Sequence, residues 1–180
     1  KTIQEGIELG LEVWVKVETY AESITLRSGG SVYGHFDGTE TSFGQRSTVA
    51  GASSIGDNGV TSDIVVIDST TNTVLDGFTI SNSNLGYRGV YAVTLDSTNT
   101  ISDCIITGDT YDGNGGGLYL SAASMVISDC TISGNTSTGD GGGLYEVNSA
   151  PLLENCTISG NTAYAGGGIR LFHSSATITG

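Results

Sequence analysis

Residues 156–161 read Cys-Thr-Ile-Ser-Gly-Asn, and residues 130–135 read the same six amino acids. The two copies are 26 positions apart, and a related copy, Cys-Ile-Ile-Thr-Gly-Asp, lies another 26 positions earlier at residues 104–109. A glycine triplet follows each copy and leads into an aliphatic residue: Gly115–Gly117 into Leu118, Gly141–Gly143 into Leu144, and Gly166–Gly168 into Ile169. This agreement in phase indicates an internal structural repeat.

The apolar residues inside each repeat alternate with a period of two, as Cys130 and Ile132 or Leu118 and Leu120 do. Gly, Asn and Asp separate these short alternations, a pattern that predicts two or three short strands per repeat. Helical repeats are longer, and leucine-rich repeats need more leucines than this chain offers. We therefore expect an all-β parallel β-helix, a solenoid in which each repeat of about 26 residues forms one rung.

The composition agrees with a single turn-rich β domain of 180 residues. Only 14% of residues are charged, and Gly, Ser and Thr supply 28, 22 and 23 positions, which leaves few residues for long helices. The apolar share of 37% is too high for a disordered linker.

The charge balance limits the partners. Six basic residues against 19 acidic ones give a net charge of -13, which disfavours nucleic acids and anionic membrane surfaces. The longest aliphatic run, Ile64–Ile67, is too short to cross a bilayer. No signal peptide is recognisable at Lys1, so we expect a mature, cytosolic or fragmentary chain.

One domain over residues 1–180 divides into four predicted parts. Residues 1–11 form an N-terminal cap, residues 12–36 the first rungs, residues 37–59 an excursion loop, and residues 60–180 the regular repeats. We expect the repeat to stop inside a rung, without a C-terminal cap. We expect this open end to be covered by the rest of a longer polypeptide or by a second copy stacked head to tail.

Residues 155–162 together with Gly166–Ile169 resemble the right-handed parallel β-helix repeats of secreted and cell-surface bacterial proteins. They are similar to the repeats of polymorphic outer membrane proteins, and residues 19–34 look like the opening rungs of pectin-lyase-like β-helices. The resemblance implies a right-handed coil and an extracellular or cell-surface location. Because such proteins include polysaccharide lyases, hydrolases, adhesins and structural shells, it defines the fold better than the function.

Two columns of repeated residues are expected inside the coil. Cys104, Cys130 and Cys156 are predicted to be free core thiols that resist labelling, because parallel Cβ vectors suit a disulfide poorly and a linear column does not converge on zinc.

The second column, Asp109, Asn135 and Asn161, is expected to form hydrogen bonds between successive turns. The alternative for the acidic turns is a calcium site formed by Asp109, Asp112 and Asp140, and no other cofactor is expected.

Alternation along the strands places Tyr91, Tyr119, Tyr145 and Arg170 on the outside of the coil. Such a column can hold the face of a sugar or another protein surface, or it can serve only to stabilise the rungs. Glu146 takes the inward position of Leu120 and Leu171, so we expect the strand to bend outward there or Glu146 to be exposed at a turn.

No catalytic constellation is visible, since His35 and His173 are isolated in the sequence and only Arg88 and Arg170 are basic on the regular coil. The leading hypothesis is therefore a non-enzymatic structural or adhesive segment of an extracellular protein that assembles head to tail. The alternative is a polysaccharide lyase or glycoside hydrolase with its site on a longer coil or in residues 37–59.

Overall fold

The computed structural model describes residues 2–10, 12–36, 42, 46, 53–56, 61–82 and 86–180. Over these residues the chain is a right-handed parallel β-helix with about 26 residues per turn, so the predicted fold is confirmed. Every neighbouring pair of strands is parallel. The only helix in this part of the chain, α1 (Ile3–Glu8), is too short to span a membrane.

Three sheets form the long sides of the coil. The first, sheet A, contains β1 (Val13–Lys16), β4 (Ser31–Phe36), β7 (Val74–Asp76), β10 (Thr100–Ser102), β14 (Val126–Ser128), β18 (Leu152–Glu154) and β21 (Thr177–Thr179). Sheet B contains β2 (Thr19–Tyr20), β5 (Ser53–Gly56), β8 (Phe78–Ser81), β11 (Ile105–Thr107), β15 (Thr131–Ser133) and β19 (Thr157–Ser159). Sheet C contains β3 (Ile24–Leu26), β6 (Val65–Asp68), β9 (Val90–Leu95), β13 (Leu118–Ala123), β17 (Leu144–Val147) and β20 (Ile169–Phe172), and two short strands, β12 (Thr110–Tyr111) and β16 (Thr136–Ser137), pair separately.

Inward-facing aliphatic residues from the three sheets fill the coil. One fully buried column comes from each sheet: Val32, Leu75, Ile101, Ile127 and Leu153 from sheet A; Ile55, Ile80, Ile106 and Ile132 from sheet B; Ile24, Val65, Val90, Leu118 and Leu144 from sheet C. Burying one such side chain is worth about 1.5–3 kcal/mol, so stability accumulates rung by rung.

The corner between sheets A and B contains a left-handed residue in each of the four rungs from β7 to β19. Gly77, Asp103, Asp129 and Asn155 occupy this corner at intervals of 26 residues, with φ values of 79°, 50°, 53° and 52°. Asp and Asn tolerate the left-handed region better than other non-glycine residues do. This tolerance explains why Asp or Asn directly precedes each of the three cysteines.

Helix α1 covers the N-terminal edge of the coil, within the stretch predicted as a cap. Thr2 and Glu5 form a capping box. The Glu22 carboxylate accepts hydrogen bonds of 2.9 and 3.2 Å from the backbone N–H groups of Ile3 and Gln4. Ile3 and Ile7 face the core and are buried. The helix is therefore fixed to the first rungs by both polar and apolar contacts.

The stretch predicted as an excursion loop contains a strand. Ser53–Gly56 form β5, which pairs with β2 and β8 in sheet B, so the coil includes residues that the sequence placed outside it. The reason is that Ile55 continues the buried column of sheet B although its neighbours are small and polar. Apart from β5, Ser42 and Arg46, residues 37–59 lie outside the described residues.

The prediction for Glu146 is wrong. Its side chain is fully buried inside β17, and neither carboxylate oxygen has a hydrogen-bond partner among the residues that the structure describes. Because β13 and β20 pair with β17 in continuous register on both sides, the alternation cannot shift to turn this residue outward. Burial raises the pKa of Glu146 to about 7, which lowers the cost of keeping the group inside in its neutral form.

Candidate functional site

The outward residues of sheet C form a stacked aromatic column. Tyr91, Tyr119 and Tyr145 are in register on β9, β13 and β17, and their ring centroids are 5.5 and 5.6 Å apart with interplanar angles of 14° and 15°. Tyr91 and Tyr119 are half-buried, whereas Tyr145 is buried. Arg170 follows in register on β20. The structure thus brings together the four residues of the predicted contact surface.

Arg88 packs over the same column, a contact that the sequence did not predict. Its guanidinium carbon lies 4.6 Å from the ring centroid of Tyr119, 5.3 Å from that of Tyr91 and 3.7 Å from that of Tyr111. Arg88 takes the position that Gly116 occupies one rung later, as the pairing of Val90 with Leu118 shows. The sequence did contain a signal for this contact, because Arg88 stands at a repeat position that a glycine occupies in the next rung.

Both arginines of this surface have acidic partners. Arg88 Nη1 lies 3.2 Å from Asp63 Oδ2, and its backbone N–H donates to Asp63 Oδ1 at 2.8 Å. Arg170 Nε lies 3.2 Å from Asp140 Oδ2. The Tyr–Arg surface, by which we mean Tyr91, Tyr119, Tyr145, Arg88 and Arg170, therefore combines a stacked aromatic column with two charge pairs.

A cleft of about 390 Å³ adjoins this surface. Its lining combines hydroxyl, carboxylate, guanidinium and phenol groups, supplied by Thr61, Ser62, Asp63, Gly86, Tyr87, Arg88 and Tyr111. These groups offer hydrogen-bond donors and acceptors beside aromatic rings, which is the combination that a sugar requires.

The three weak calcium candidates do not form one site. Asp109 is fully buried, Asp112 is exposed and accepts a hydrogen bond of 2.6 Å from Thr138 Oγ1, and Asp140 pairs with Arg170. Within the described ranges, no three His, Cys, Asp or Glu side chains are grouped so that they could hold a metal ion.

The Asp/Asn column forms a hydrogen-bonded ladder. Asn161 Nδ2 donates to the Ile132 carbonyl at 2.9 Å, and Asn135 Nδ2 donates to the Ile106 carbonyl at 3.0 Å. Asn135 is fully buried and Asn161 half-buried, so these amides satisfy backbone groups that water reaches poorly. This ladder has a structural role.

The cysteines form a column of free thiols at the start of successive sheet B strands. Cys104 and Cys130 are buried, and Cys156 is half-buried. Hydrogen bonding with Cys104, together with burial, raises the pKa of the Cys130 thiol, and hydrogen bonding with Cys130 followed by burial raises that of Cys156.

A second polar cluster lies at the corner between sheets A and B, and it corrects the interpretation of His35 as isolated. Arg46 Nη2 lies 3.4 Å from His35 Nδ1 and 3.6 Å from Asp103 Oδ2, and Arg46 Nη1 forms an ion pair with Asp76 Oδ1. Asp103 Oδ2 is 3.8 Å from His35 Nδ1. Burial and the neighbouring Arg46 lower the pKa of His35, so the imidazole is neutral at pH 7.

This His35–Arg46 cluster (His35, Arg46, Asp76 and Asp103) depends on a glycine. A β-carbon at Gly77 would collide with the Arg46 guanidinium and approach His35 Nδ1 to 3.2 Å. Asp103, Asp129 and Asn155 occupy the same corner in later rungs. The Arg46 guanidinium therefore occupies the space that a β-carbon would fill at Gly77. Sequence reasoning missed the cluster because its members come from four separate segments.

The comparisons with known proteins agree with this architecture. No significant match to the chain was found among curated proteins or among solved structures. The family model described as "right handed beta helix region" matches residues 36–180. Since this match covers most of the chain, the protein belongs to the right-handed β-helix family.

Proposed function

We propose that the chain is a non-enzymatic, extracellular structural segment that adheres to glycans through the Tyr–Arg surface. The observation that carries this proposal is the continuous column of Tyr91, Tyr119 and Tyr145, with ring centroids 5.5 and 5.6 Å apart. A stacked column of this kind presents repeated ring edges along one side of a rigid coil, because the ring faces are turned toward one another.

The charges of the molecule favour neutral glycans over acidic ones. The net charge of -13 repels polyanions, and the cations of the surface, Arg88 and Arg170, are already paired with Asp63 and Asp140. The paired groups still offer hydrogen bonds to sugar hydroxyls at the edge of the aromatic column. This combination supports recognition of neutral sugars by stacking and hydrogen bonding.

The proposal is tested by calorimetric titration with a panel of neutral oligosaccharides. We expect at least one to bind, and Tyr119→Ala to weaken that binding at least tenfold, because the ring lies at the centre of the column. Thr131→Ala, on the outside of sheet B, is the matched control and should bind like the parent protein. Absence of binding to every neutral glycan, or equal losses in both variants, would reject the adhesive role.

The structural part of the proposal includes assembly through the last rung. Leu171, Phe172 and Ile178 are 41%, 44% and 59% exposed. Another rung, from the same polypeptide or from a neighbouring copy, would cover these residues and pair with β20 and β21. Light scattering across a concentration series tests whether copies associate, and Leu171→Lys should then reduce the association.

The His35–Arg46 cluster favours a second candidate function, a polysaccharide lyase or glycoside hydrolase. A neutral imidazole, a guanidinium and two carboxylates in contact are groups that such chemistry uses for proton transfer and charge stabilisation. Asp103 is the accessible member, with a side chain that is 62% exposed. Release of reducing ends or of unsaturated products from polysaccharides, lost in Asp103→Asn but retained in the exposed-site control Asp129→Asn, would establish this activity.

A further inference from the structure

The cysteine column has no part in either proposed function. Cys104, Cys130 and Cys156 directly precede β11, β15 and β19, which pair in continuous register. The thiols therefore lie above one another at the strand spacing of about 4.8 Å. All three are free.

The column is continuous at the level of the sulfur atoms. Cys130 directly precedes β15, which pairs in register with both β11 and β19, so its side chain lies between those of Cys104 and Cys156. Each thiol also contacts the backbone carbonyl two residues earlier, at 3.1 Å for Cys104 and Cys130 and at 3.4 Å for Cys156. These carbonyl contacts hold the three side chains in the same orientation, so the sulfur spacing follows the strand spacing.

This geometry excludes one class of metal site and suits another. Tetrahedral zinc requires ligands that converge from four directions, whereas a column provides only two opposed sulfur atoms for each gap. A metal–thiolate bond of about 2.3 Å, the length known for zinc, makes a linear sulfur–metal–sulfur unit about 4.6 Å long. That length matches the spacing of adjacent rungs, and thiolates prefer soft ions such as Cu⁺.

We propose that two adjacent cysteines of this column bind one soft monovalent d10 cation, Cu⁺ or Ag⁺, in a linear site, with Cys130 and Cys156 as the entry pair. In the isolated 180-residue chain, Cys156 is half-buried and an ion reaches the column from this side, whereas Cys104 and Cys130 are each 1% exposed. The metal replaces the protons of two thiols, so two sulfur–metal bonds form, two S–H bonds break, and two protons leave to solvent. No atom changes oxidation state.

The site ties two rungs together and is coupled to pH. Without metal, the raised pKa values of the Cys130 and Cys156 thiols keep both groups protonated, so uptake of the ion must displace these protons and weakens as the pH falls. A bound ion stabilises the folded coil because the unfolded chain does not hold the two sulfur atoms at the required separation.

Silver ions at pH 7 in chloride-free buffer are a suitable probe for the native protein. We expect one Ag⁺ to bind per chain, with two protons released and the thermal midpoint raised. Uptake of three ions per chain, one for each independent thiol, would overturn the proposal, and so would a lower thermal midpoint in the presence of silver.

Two variants with equal numbers of thiols give the sharpest comparison. Cys104→Ala keeps the adjacent pair Cys130 and Cys156 and should bind Ag⁺ like the parent protein. Cys130→Ala leaves thiols two rungs apart, about twice the strand spacing, and should bind at least a hundredfold more weakly. Equal binding by these two variants would contradict the linear site.

A third variant guards against a folding defect in Cys130→Ala. Cys156→Ala keeps the buried pair Cys104 and Cys130, and we expect it to bind one Ag⁺ more slowly than the parent protein. Thermal midpoints without silver identify any variant that is not folded. If folded Cys156→Ala takes up no silver, adjacency is not what creates the site, and the proposal fails.

Discussion

The side-chain oxygen of Asn135 accepts a hydrogen bond of 3.0 Å from the backbone N–H of Asp109, one rung earlier. Asn161 makes the same contact of 2.9 Å with the backbone of Asn135. The column thus uses the side-chain oxygen of each rung to satisfy the backbone of the rung before it. Asp109 occupies an asparagine position in this pattern but lacks the amide N–H₂ group.

Replacing Asp109 with asparagine should stabilise the protein. Asp109 is fully buried, and burial raises the pKa of its carboxyl group well above its usual range, an effect that a hydrogen bond from the Asn82 backbone only partly offsets. By analogy with Asn135 and Asn161, the new amide would donate to the carbonyl 29 residues earlier, that of Ile80. We expect Asp109→Asn to raise the free energy of unfolding at pH 7 by about 1–2 kcal/mol, measured by urea denaturation.

The reverse substitution is the matched control. Asn135→Asp removes the donor to the Ile106 carbonyl and should destabilise the protein by a similar or larger amount. If Asp109→Asn is no more stable than the parent protein, the analogy between the positions does not hold.

Glu146 should make the stability depend on pH. Its folded pKa of about 7 is raised from an ordinary value of 4.5, so the folded state holds a proton that the unfolded state releases between these values. The free energy of unfolding therefore falls as the pH rises from 4.5 to 7 and is level above that window, with a loss on the order of 3 kcal/mol from this group.

Glu146→Leu tests this assignment, because leucine occupies the same inward position in the neighbouring strands, at Leu120 and Leu171. The variant should be more stable than the parent protein at pH 8. Between pH 4.5 and 7, its free energy of unfolding should no longer show the decrease that corresponds to release of about one proton on unfolding. Glu154→Gln, at an exposed position of β18, is the control and should keep the slope of the parent protein. An unchanged slope in Glu146→Leu would contradict the buried neutral carboxyl.

The repeat explains how much was predictable. Residues such as Cys130, Ile132 and Asn135 recur at fixed intervals, so their side chains repeat the same environment and the core follows from the sequence. Glu146 and Arg46 break the pattern. Glu146 is buried because β17 pairs with both neighbouring strands, and this pairing outweighs the preference of one carboxyl group for water. Arg46 contacts His35 and Asp76 from outside the repeat, so the sequence period does not predict these contacts.

Gly77→Ala should destabilise the protein more than backbone strain alone predicts, because the new β-carbon also disturbs the His35–Arg46 cluster. Gly77 and Gly108 have φ values of 79° and 74°, so alanine carries a similar strain at both positions, about 1–2 kcal/mol. In the described part of the chain, no atom lies within 4 Å of an added β-carbon at Gly108, whereas Arg46 blocks that space at Gly77. We expect Gly77→Ala to lower the free energy of unfolding by about 1 kcal/mol more than Gly108→Ala does.

A double-mutant cycle separates the collision from the strain. In an Arg46→Ala background, Gly77→Ala should cost no more than Gly108→Ala, since the guanidinium is gone. If the extra cost persists without Arg46, it has another origin than the position of this side chain above Gly77.

His35 should titrate below the ordinary histidine pKa of 6.5 because of burial and, after it, the positive charge of Arg46. The nearby carboxylates of Asp103 and Asp76 act in the opposite direction. Since the unfolded state binds this proton more readily, the contribution of His35 to stability is full above pH 6.5 and decreases as the pH falls through the folded pKa.

The chain has two histidines, so a His173→Asn background leaves one imidazole for titration by NMR. Arg46→Ala should raise the measured pKa, because it removes a repulsive charge and leaves both carboxylates in place. Arg88→Ala, which removes an equal charge from the Tyr–Arg surface, should leave the His35 pKa unchanged. A His35 pKa that responds equally to both substitutions would show that the contact between His35 Nδ1 and Arg46 Nη2 does not control the protonation of this imidazole.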